Sequence, residues 1–261
     1  MDLWTKEQLI EKLKYVKALG WIPNARIGNA GGVGNTLEDL LGIEENNLPI
    51  PNAAEWELKT QRGNTTSLTT LFHMEPSPRV IKFVPQVFLK NYGWPHEEAG
   101  KKYPPNEMSF RQTISGKSRS DRGFTVLIDR NERKVIVSFD SNFVTDKHAD
   151  WLNGVEERIG VKELNPQPYW GFDDLFHKAG TKLINCFYVQ ADVKKEKGLE
   201  YFKYEKILML QKFSINKFLA ALEANNILID FDARTGHNHG TKFRLRQNKL
   251  PELYEITTEI Q

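Results

Sequence analysis

The sequence predicts an α/β protein built on a mixed sheet, and three features lead there. Leu9, Ile10, Leu13, Val16 and Leu19 recur at helical spacing. Apolar runs at 124–129 and 134–140 flank the polar turn Arg130-Asn-Glu-Arg. A second pair of runs, 227–232 and 242–246, flanks a long polar loop. Helices interspersed with hairpins can bury their apolar faces only as stacked α and β layers.

In chain order, the first helix covers 5–19 and stops at Gly20. Residues 26–36 form a glycine-rich loop. It is not a phosphate-binding P-loop, because no Lys-Ser/Thr closes it and no strand precedes it. Thr36 is expected to cap a helix over 37–41, with Glu38 and Asp39 in its first turn. Residues 54–60 read as a strand, and 67–74 have no decisive period. Residues 75–107, rich in Pro, Gly and aromatics, read as a long irregular connection. After the first hairpin, strands are expected at 182–192 and 200–209. Ser214 then caps a helix to Ala224, ahead of the second hairpin and its loop at 233–241.

The chain has 261 residues, 39% hydrophobic and 27% charged, enough for one large domain or two lobes. No apolar run approaches the ~20 residues of a membrane helix, and the N-terminus lacks a signal-peptide pattern. The single Cys186 lies in an apolar run and reads as a small buried hydrophobe. These features set the expectation of a cytoplasmic protein that engages no membrane. The net charge is only +2, but its distribution is uneven. Residues 233–249 carry five basic residues, two histidines and no acid, and residues 101–122 carry six basic residues against two acids. Two basic islands are two places for a polyanion to touch.

The most informative stretch is Pro51-Asn-Ala-Ala-Glu-Trp-Glu-Leu-Lys59. Side chains alternate along a strand, so Glu57 and Lys59 share a face with Glu55. A carboxylate that can hold Mg²⁺ and a cation that can meet charge on a phosphate suit phosphodiester hydrolysis. An exposed ion pair would look the same in sequence, but the preceding Pro-Asn turn and Glu38 upstream favour a site. The candidate metal set is Asn52, Glu57 and the Leu58 backbone carbonyl.

The loop 233–241 suits a DNA groove. Arg234 can read guanine, Asn238 can read adenine, and His237 and His239 can donate or accept. Two histidines alone are too few for structural zinc. Lys242 and Arg244 suit phosphates, as do Lys117 and Arg119 in the Ser- and Gly-rich run 113–123, which reads equally well as a solvated loop. His73, beside Phe72 and Met74, is a further candidate contact whose default reading is a half-buried histidine.

Four blocks, in order, resemble the MvaI/BcnI type of restriction endonuclease, itself related to MutH. They are Gly34-Asn-Thr-Leu-Glu-Asp-Leu-Leu, Pro51 to Lys59 with Thr60, Ser67-Leu-Thr-Thr-Leu-Phe, and His237-Asn-His-Gly-Thr-Lys-Phe-Arg. The resemblance spans roughly residues 20–250. It implies a restriction-endonuclease-like mixed sheet with flanking helices, a single unit over 1–261 with two lobes around a DNA cleft. The catalytic lobe is expected at about 1–110 plus parts of 120–210, and the recognition lobe at about 210–250 with loop 111–122. It implies a monomeric, Mg²⁺-dependent enzyme, with Mn²⁺ as substitute, that cuts double-stranded DNA at short CC-N-GG-like sites beside a cognate methyltransferase. Glu57 and Lys59 fall on the family's catalytic pair, Glu38 on the acid of the preceding helix, and Arg234, His237 and His239 on the base-reading loop. Asn52 falls on the metal-binding Asp, and Asn238 where a member has Asp.

An amide oxygen at residue 52 can ligate a cation but brings no negative charge. Three explanations stay open: tolerance with Glu55 or Glu38 supplying charge, an inactive DNA binder, or a laboratory substitution. The rival readings are therefore an impaired sequence-specific DNA-binding protein and a MutH-like nicking enzyme of repair.

Overall fold

The computed structural model describes residues 4–26, 32–43, 56–63 and 66–261, which fall into two compact units. Unit 1 comprises residues up to Ser67, His177–Lys217 and Arg246 onward, and unit 2 comprises Leu68–Phe176 and Phe218–Leu245. The sequence reading drew the catalytic lobe through residue 110, whereas residues 68–110 cluster in unit 2. The reason is strand pairing between segments far apart in sequence, described below.

Unit 1 is a five-stranded sheet with two helices on one face. Its path is β1 (Ile22–Pro23), β10 (Leu199–Phe213), β9 (Asn185–Glu196), β2 (Trp56–Arg62), with β14 (Tyr254–Ile260) also on β10. Among the described residues of this sheet only β2 and β9 pair in parallel. Helix α1 (Lys6–Ala18) starts at a capping box in which Thr5 and Gln8 exchange hydrogen bonds, satisfying donors that the first turn leaves free. Leu9, Leu13 and Val16 from α1 and Val33, Leu37 and Leu41 from α2 (Gly32–Leu41) pack with Trp56, Leu58, Phe187 and Val189. Burial of that apolar face holds the unit together.

Helix α2 begins earlier than the sequence suggests. Thr36 is interior and buried, and its Oγ1 accepts from the Ala25 N–H at 3.2 Å instead of capping. Glu38 therefore lies beyond the first turn. The glycines of the expected loop lie inside the helix, close against neighbouring side chains. A Cβ on Gly32 would lie 2.7 Å from the Asn24 side chain, and one on Gly34 would lie 3.2 Å from Thr60 Oγ1.

Unit 2 contains a six-stranded sheet on the path β3 (Leu68–His73), β13 (Lys242–Arg246), β11 (Ile227–Arg234), β5 (Met108–Ile114), β4 (Trp94–Pro95), with β12 (His237–Asn238) on β11. A second sheet is β6 (Arg122–Asp129), β7 (Lys134–Val144), β8 (Tyr169–Gly171). Both expected hairpins form, β6–β7 and β11–β13. The 75–107 stretch is more regular than expected. It holds a π-helical turn, Val84–Leu89, that runs into α3 (Lys90–Tyr92). Phe88 from this turn stacks on Phe110 at 5.0 Å and meets Phe231 at 5.1 Å, inside an aromatic core completed by Phe124, Phe139 and Tyr92. Tertiary packing thus orders a segment whose composition reads as a loop. Helices α4 (Ala149–Ile159) and α5 (Phe172–Leu183) occupy a stretch the sequence reading left unassigned, and α6 (Ile215–Glu223) follows Ser214 as expected.

Candidate active site and nucleic-acid interface

Alternation along β2 gives its two faces different chemistry. Trp56 and Leu58 enter the helix-covered core, so Glu57, Lys59 and Gln61 point the other way. Glu57 is 4% exposed, and Lys59 Nζ donates to its Oε1 at 2.6 Å. The Lys59 side chain keeps 24% of its surface, so the ammonium is accessible while the carboxylate is not. Among the described residues Glu57 Oε2 accepts no hydrogen bond, which leaves a hard anionic oxygen for a cation.

In register beside Glu57 stands Cys186 on β9. Burial, only partly opposed by the Lys59 charge, pushes its thiol up to about 12, so it stays neutral. Cys186 is the buried hydrophobe that the sequence suggested, and it adds no charge to the site. Burial likewise raises the Tyr254 hydroxyl well above its usual range.

Glu38 lies on α2, whose Val33, Leu37 and Leu41 pack with Trp56 and Leu58, the face away from Glu57. Leu58 is buried between Glu57 and Lys59 on the same strand. Asn52 and Glu55 lie outside the described residues. Among those described, no three or more His, Cys, Asp or Glu side chains cluster as a metal-binding group.

The second constellation is one face of the six-stranded sheet of unit 2. Along β11, Ile227, Ile229, Phe231 and Ala233 are buried, which leaves Asp230, Asp232 and Arg234 on the opposite face. Register places Thr113 beside Asp230 and Arg111 beside Asp232, with Lys242 and Arg244 on the other flank. Arg111 Nε donates to Asp232 at 2.9 Å, Lys242 reaches Asp232 at 3.5 Å, and Arg244 reaches Asp230 at 3.3 Å. An acidic pair thus lies between Arg111 on one flank and Lys242 and Arg244 on the other. Burial raises the Asp232 carboxyl, but the hydrogen bond and charge of Arg111, with His239 and Lys242, outweigh it and hold the group below its ordinary range.

Most of the loop residues expected to read DNA gather near this face. His237 and His239 have ring centroids 4.2 Å apart, and the His239 N–H donates to the Asp232 carbonyl. Asn238 Nδ2 donates to Glu75 at 3.4 Å and its Oδ1 accepts from the Gly240 N–H at 2.9 Å. Gly240 adopts φ +81°, and a Cβ there would lie 3.2 Å from His73 Nδ1. His73 therefore borders the loop. It is exposed, not half-buried, while its neighbours Phe72 and Met74 are buried.

Arg234 and His239 help line a pocket of about 250 Å³ with His96, Tyr103, Arg111 and Asp232. Arg119 is engaged elsewhere, donating to the Gly123 carbonyl at 2.8 Å and to Ser138 Oγ at 3.0 Å, while Lys117 is exposed. The sequence reading missed Arg111, Asp230 and Asp232. The period-two pattern Asp230-Phe-Asp232-Ala-Arg234 was the available signal.

Comparison with known proteins gives the arrangement a context. The family model "MvaI/BcnI restriction endonuclease family" matches residues 10–254. Among solved structures, the chain is similar to the restriction endonuclease MvaI–cognate DNA substrate complex, with TM-score 0.72, 26% identity, and coverage of 99% of this chain and 100% of that one. It is also similar in fold to MvaI in the absence of DNA, with TM-score 0.60, 24% identity and full coverage of both chains. No match was found among curated protein sequences.

Proposed function

The chain belongs to the MvaI/BcnI restriction endonuclease family and is a type II site-specific deoxyribonuclease, and from that premise we propose that it hydrolyses double-stranded DNA with Mg²⁺ at a short CC-N-GG-like site, Glu57 and Lys59 carrying the chemistry. The observation that carries this is the nearly buried Glu57 carboxylate, one oxygen held 2.6 Å from an accessible ammonium and the other accepting no hydrogen bond from the described residues. Glu57, the Leu58 carbonyl and Asn52 would hold the cation. Such a cation, when bound, polarises the phosphoryl oxygen and lowers the pKa of its water, and Mn²⁺ can substitute. Lys59 orients the attacking water and meets charge developing on the phosphate.

Double-stranded DNA as partner is supported by the similarity to a DNA complex. Arg234, His237, Asn238 and His239 read bases, with His73 beside their loop. Lys242, Arg244 and Lys117 would contact phosphates, whereas Arg119 is held by Gly123 and Ser138. In this proposal the enzyme acts as a cytoplasmic monomer paired with a methyltransferase that protects the same site. The test is plasmid DNA incubated with Mg²⁺ or Mn²⁺, followed by sequencing of the ends. Ends at one recurring short sequence are expected, and random ends or none would overturn the proposal.

The amide at residue 52 favours a second reading, a DNA-binding protein that recognises its site but cuts poorly. Asn52→Asp restores a charged oxygen and is expected to lower the Mg²⁺ concentration needed for half-maximal cleavage, because hard cations prefer carboxylates. A magnesium titration of both proteins checks this. An unchanged midpoint would mean that Asn52 is no deficit.

Affinity for DNA is expected to fall steeply between ~50 and 200 mM salt, as release of condensed counterions requires. Fluorescence anisotropy across that range measures the slope, and a flat line would remove the phosphate contacts assigned above. Arg234→Ala is expected to cost ~1–3 kcal/mol on the preferred site and much less on random DNA, whereas Lys242→Ala weakens both about equally.

A further inference from the structure

Glu107 is a buried carboxylate that the chemistry above leaves unused. It is 4% exposed and lies just before β5, and its Oε1 accepts from Arg234 Nη1 at 3.0 Å. The Arg234 guanidinium also lies over the Tyr103 ring, 4.6 Å from its centroid. The Tyr103 ring is in turn backed by His96, edge-on at 4.8 Å.

The backbone around these residues is tied down as well. The His96 N–H donates to the Glu107 carbonyl at 2.8 Å, and the Glu107 N–H donates to the Pro104 carbonyl at 3.0 Å. Met108 N–H donates to Thr235 Oγ1 at 2.9 Å, and Thr235 N–H returns a bond to the Met108 carbonyl at 3.0 Å. One guanidinium nitrogen and one planar face of Arg234 are therefore occupied by rigid partners, while 32% of its side chain faces outward into the pocket.

We propose that Glu107 and Tyr103 are positioning residues that lock the Arg234 guanidinium, making segment 96–107 a determinant of which base pair the enzyme accepts. The physical argument concerns direction. A flexible arginine follows any acceptor, phosphate or base, whereas a clamped one presents its remaining N–H groups along a single line. Bidentate reading of a base edge needs that fixed geometry. Its charge is already matched by Glu107, so Arg234 contributes orientation more than attraction to the backbone. The inference rests on the reading of Arg234 as a base contact.

The test copies the mapped plasmid site into short duplexes, replaces each base pair in turn, and measures single-turnover cleavage rates for each. The proteins are the parent, Arg234→Ala, Glu107→Gln, Tyr103→Leu and Tyr103→Phe. Glu107→Gln and Tyr103→Leu are expected to lower discrimination by about tenfold at the one base pair where Arg234→Ala lowers it. Other positions and the salt slope of binding should be unaffected. Tyr103→Phe keeps the ring face and is expected to restore parental discrimination.

If Arg234→Ala lowers discrimination at one base pair and neither Glu107→Gln nor Tyr103→Leu does, the clamp is wrong and the base contact stands. If Arg234→Ala leaves every ratio unchanged, the base contact itself fails and the clamp with it. Tyr103 is only partly buried, so its variants carry the test even if Glu107→Gln fails to fold. A Tyr103→Phe protein as indiscriminate as Tyr103→Leu would also overturn the stacking role.

Discussion

Replacing Lys59 with alanine is expected to slow DNA cleavage by roughly two to three orders of magnitude while leaving DNA affinity within a few-fold of the parent. The ammonium is the cation bonded to Glu57, 2.6 Å from its Oε1, and the accessible member of the pair. In the proposed mechanism truncation removes the group that meets charge on the phosphate, and loss of one such donor in a preorganised site costs about 2.7–4 kcal/mol of transition-state stabilisation. Binding survives because one phosphate contact among several is a small share of affinity. Single-turnover cleavage and anisotropy on the same duplex separate the two effects. Cleavage at the parental rate would show that the active site lies elsewhere. An equal fall in binding and cutting would make Lys59 a docking residue.

Phe110→Ala is expected to destabilise the protein by about 3–5 kcal/mol, the range for emptying a large aromatic site. Phe110 is fully buried, with ring neighbours Phe88 at 5.0 Å, Trp94 and Phe124 at 5.6 Å and Phe231 at 5.7 Å. It comes from β5 and touches β6, so within unit 2 it joins the two sheets. Four rigid rings cannot collapse into the gap as aliphatic side chains can, which keeps the cavity cost high. Urea unfolding should show a lower midpoint with little change in slope. A loss below ~1 kcal/mol would mean that the rings re-close around the gap and that the two sheets are held together by other contacts.

The elements legible in the sequence were those whose signals are local. Both hairpins, α1, α6 and the β9 and β10 strands followed from period and turn chemistry. Glu57 and Lys59 were legible as a shared face because strand alternation needs no tertiary information. The misread elements depend on distant partners. Helix α2 includes Gly32 and Gly34, where Asn24 and Thr60 leave little room for a side chain, and a propensity argument counts those glycines against a helix. The turn at 84–89 forms because Phe88 and Tyr92 find an aromatic core supplied by β5, β6, β7 and β11. The acidic row Asp230–Asp232 showed its alternation, but its meaning came from Arg111, which pairing brings from more than a hundred residues upstream. Asn52 and Glu55, central to the sequence reading, lie outside the described residues.

The parallel pairing of β2 with β9 has a consequence in time. Trp56 is in register with Asn185, so nearly half the chain separates the strand that carries Glu57 and Lys59 from its neighbour. Such a contact closes late, because the entropy of a long loop must be overcome before the strands reward it. During synthesis, which delivers the N-terminal end first, Glu57 and Lys59 leave the ribosome long before β9 exists to hold them. On the proposed assignment, a chain that stops short of β9 lacks the strand that holds Glu57 and Lys59 in place. Under the proposed function, a protein whose activity would endanger the genome of the cell making it has no assembled site while it is a nascent fragment.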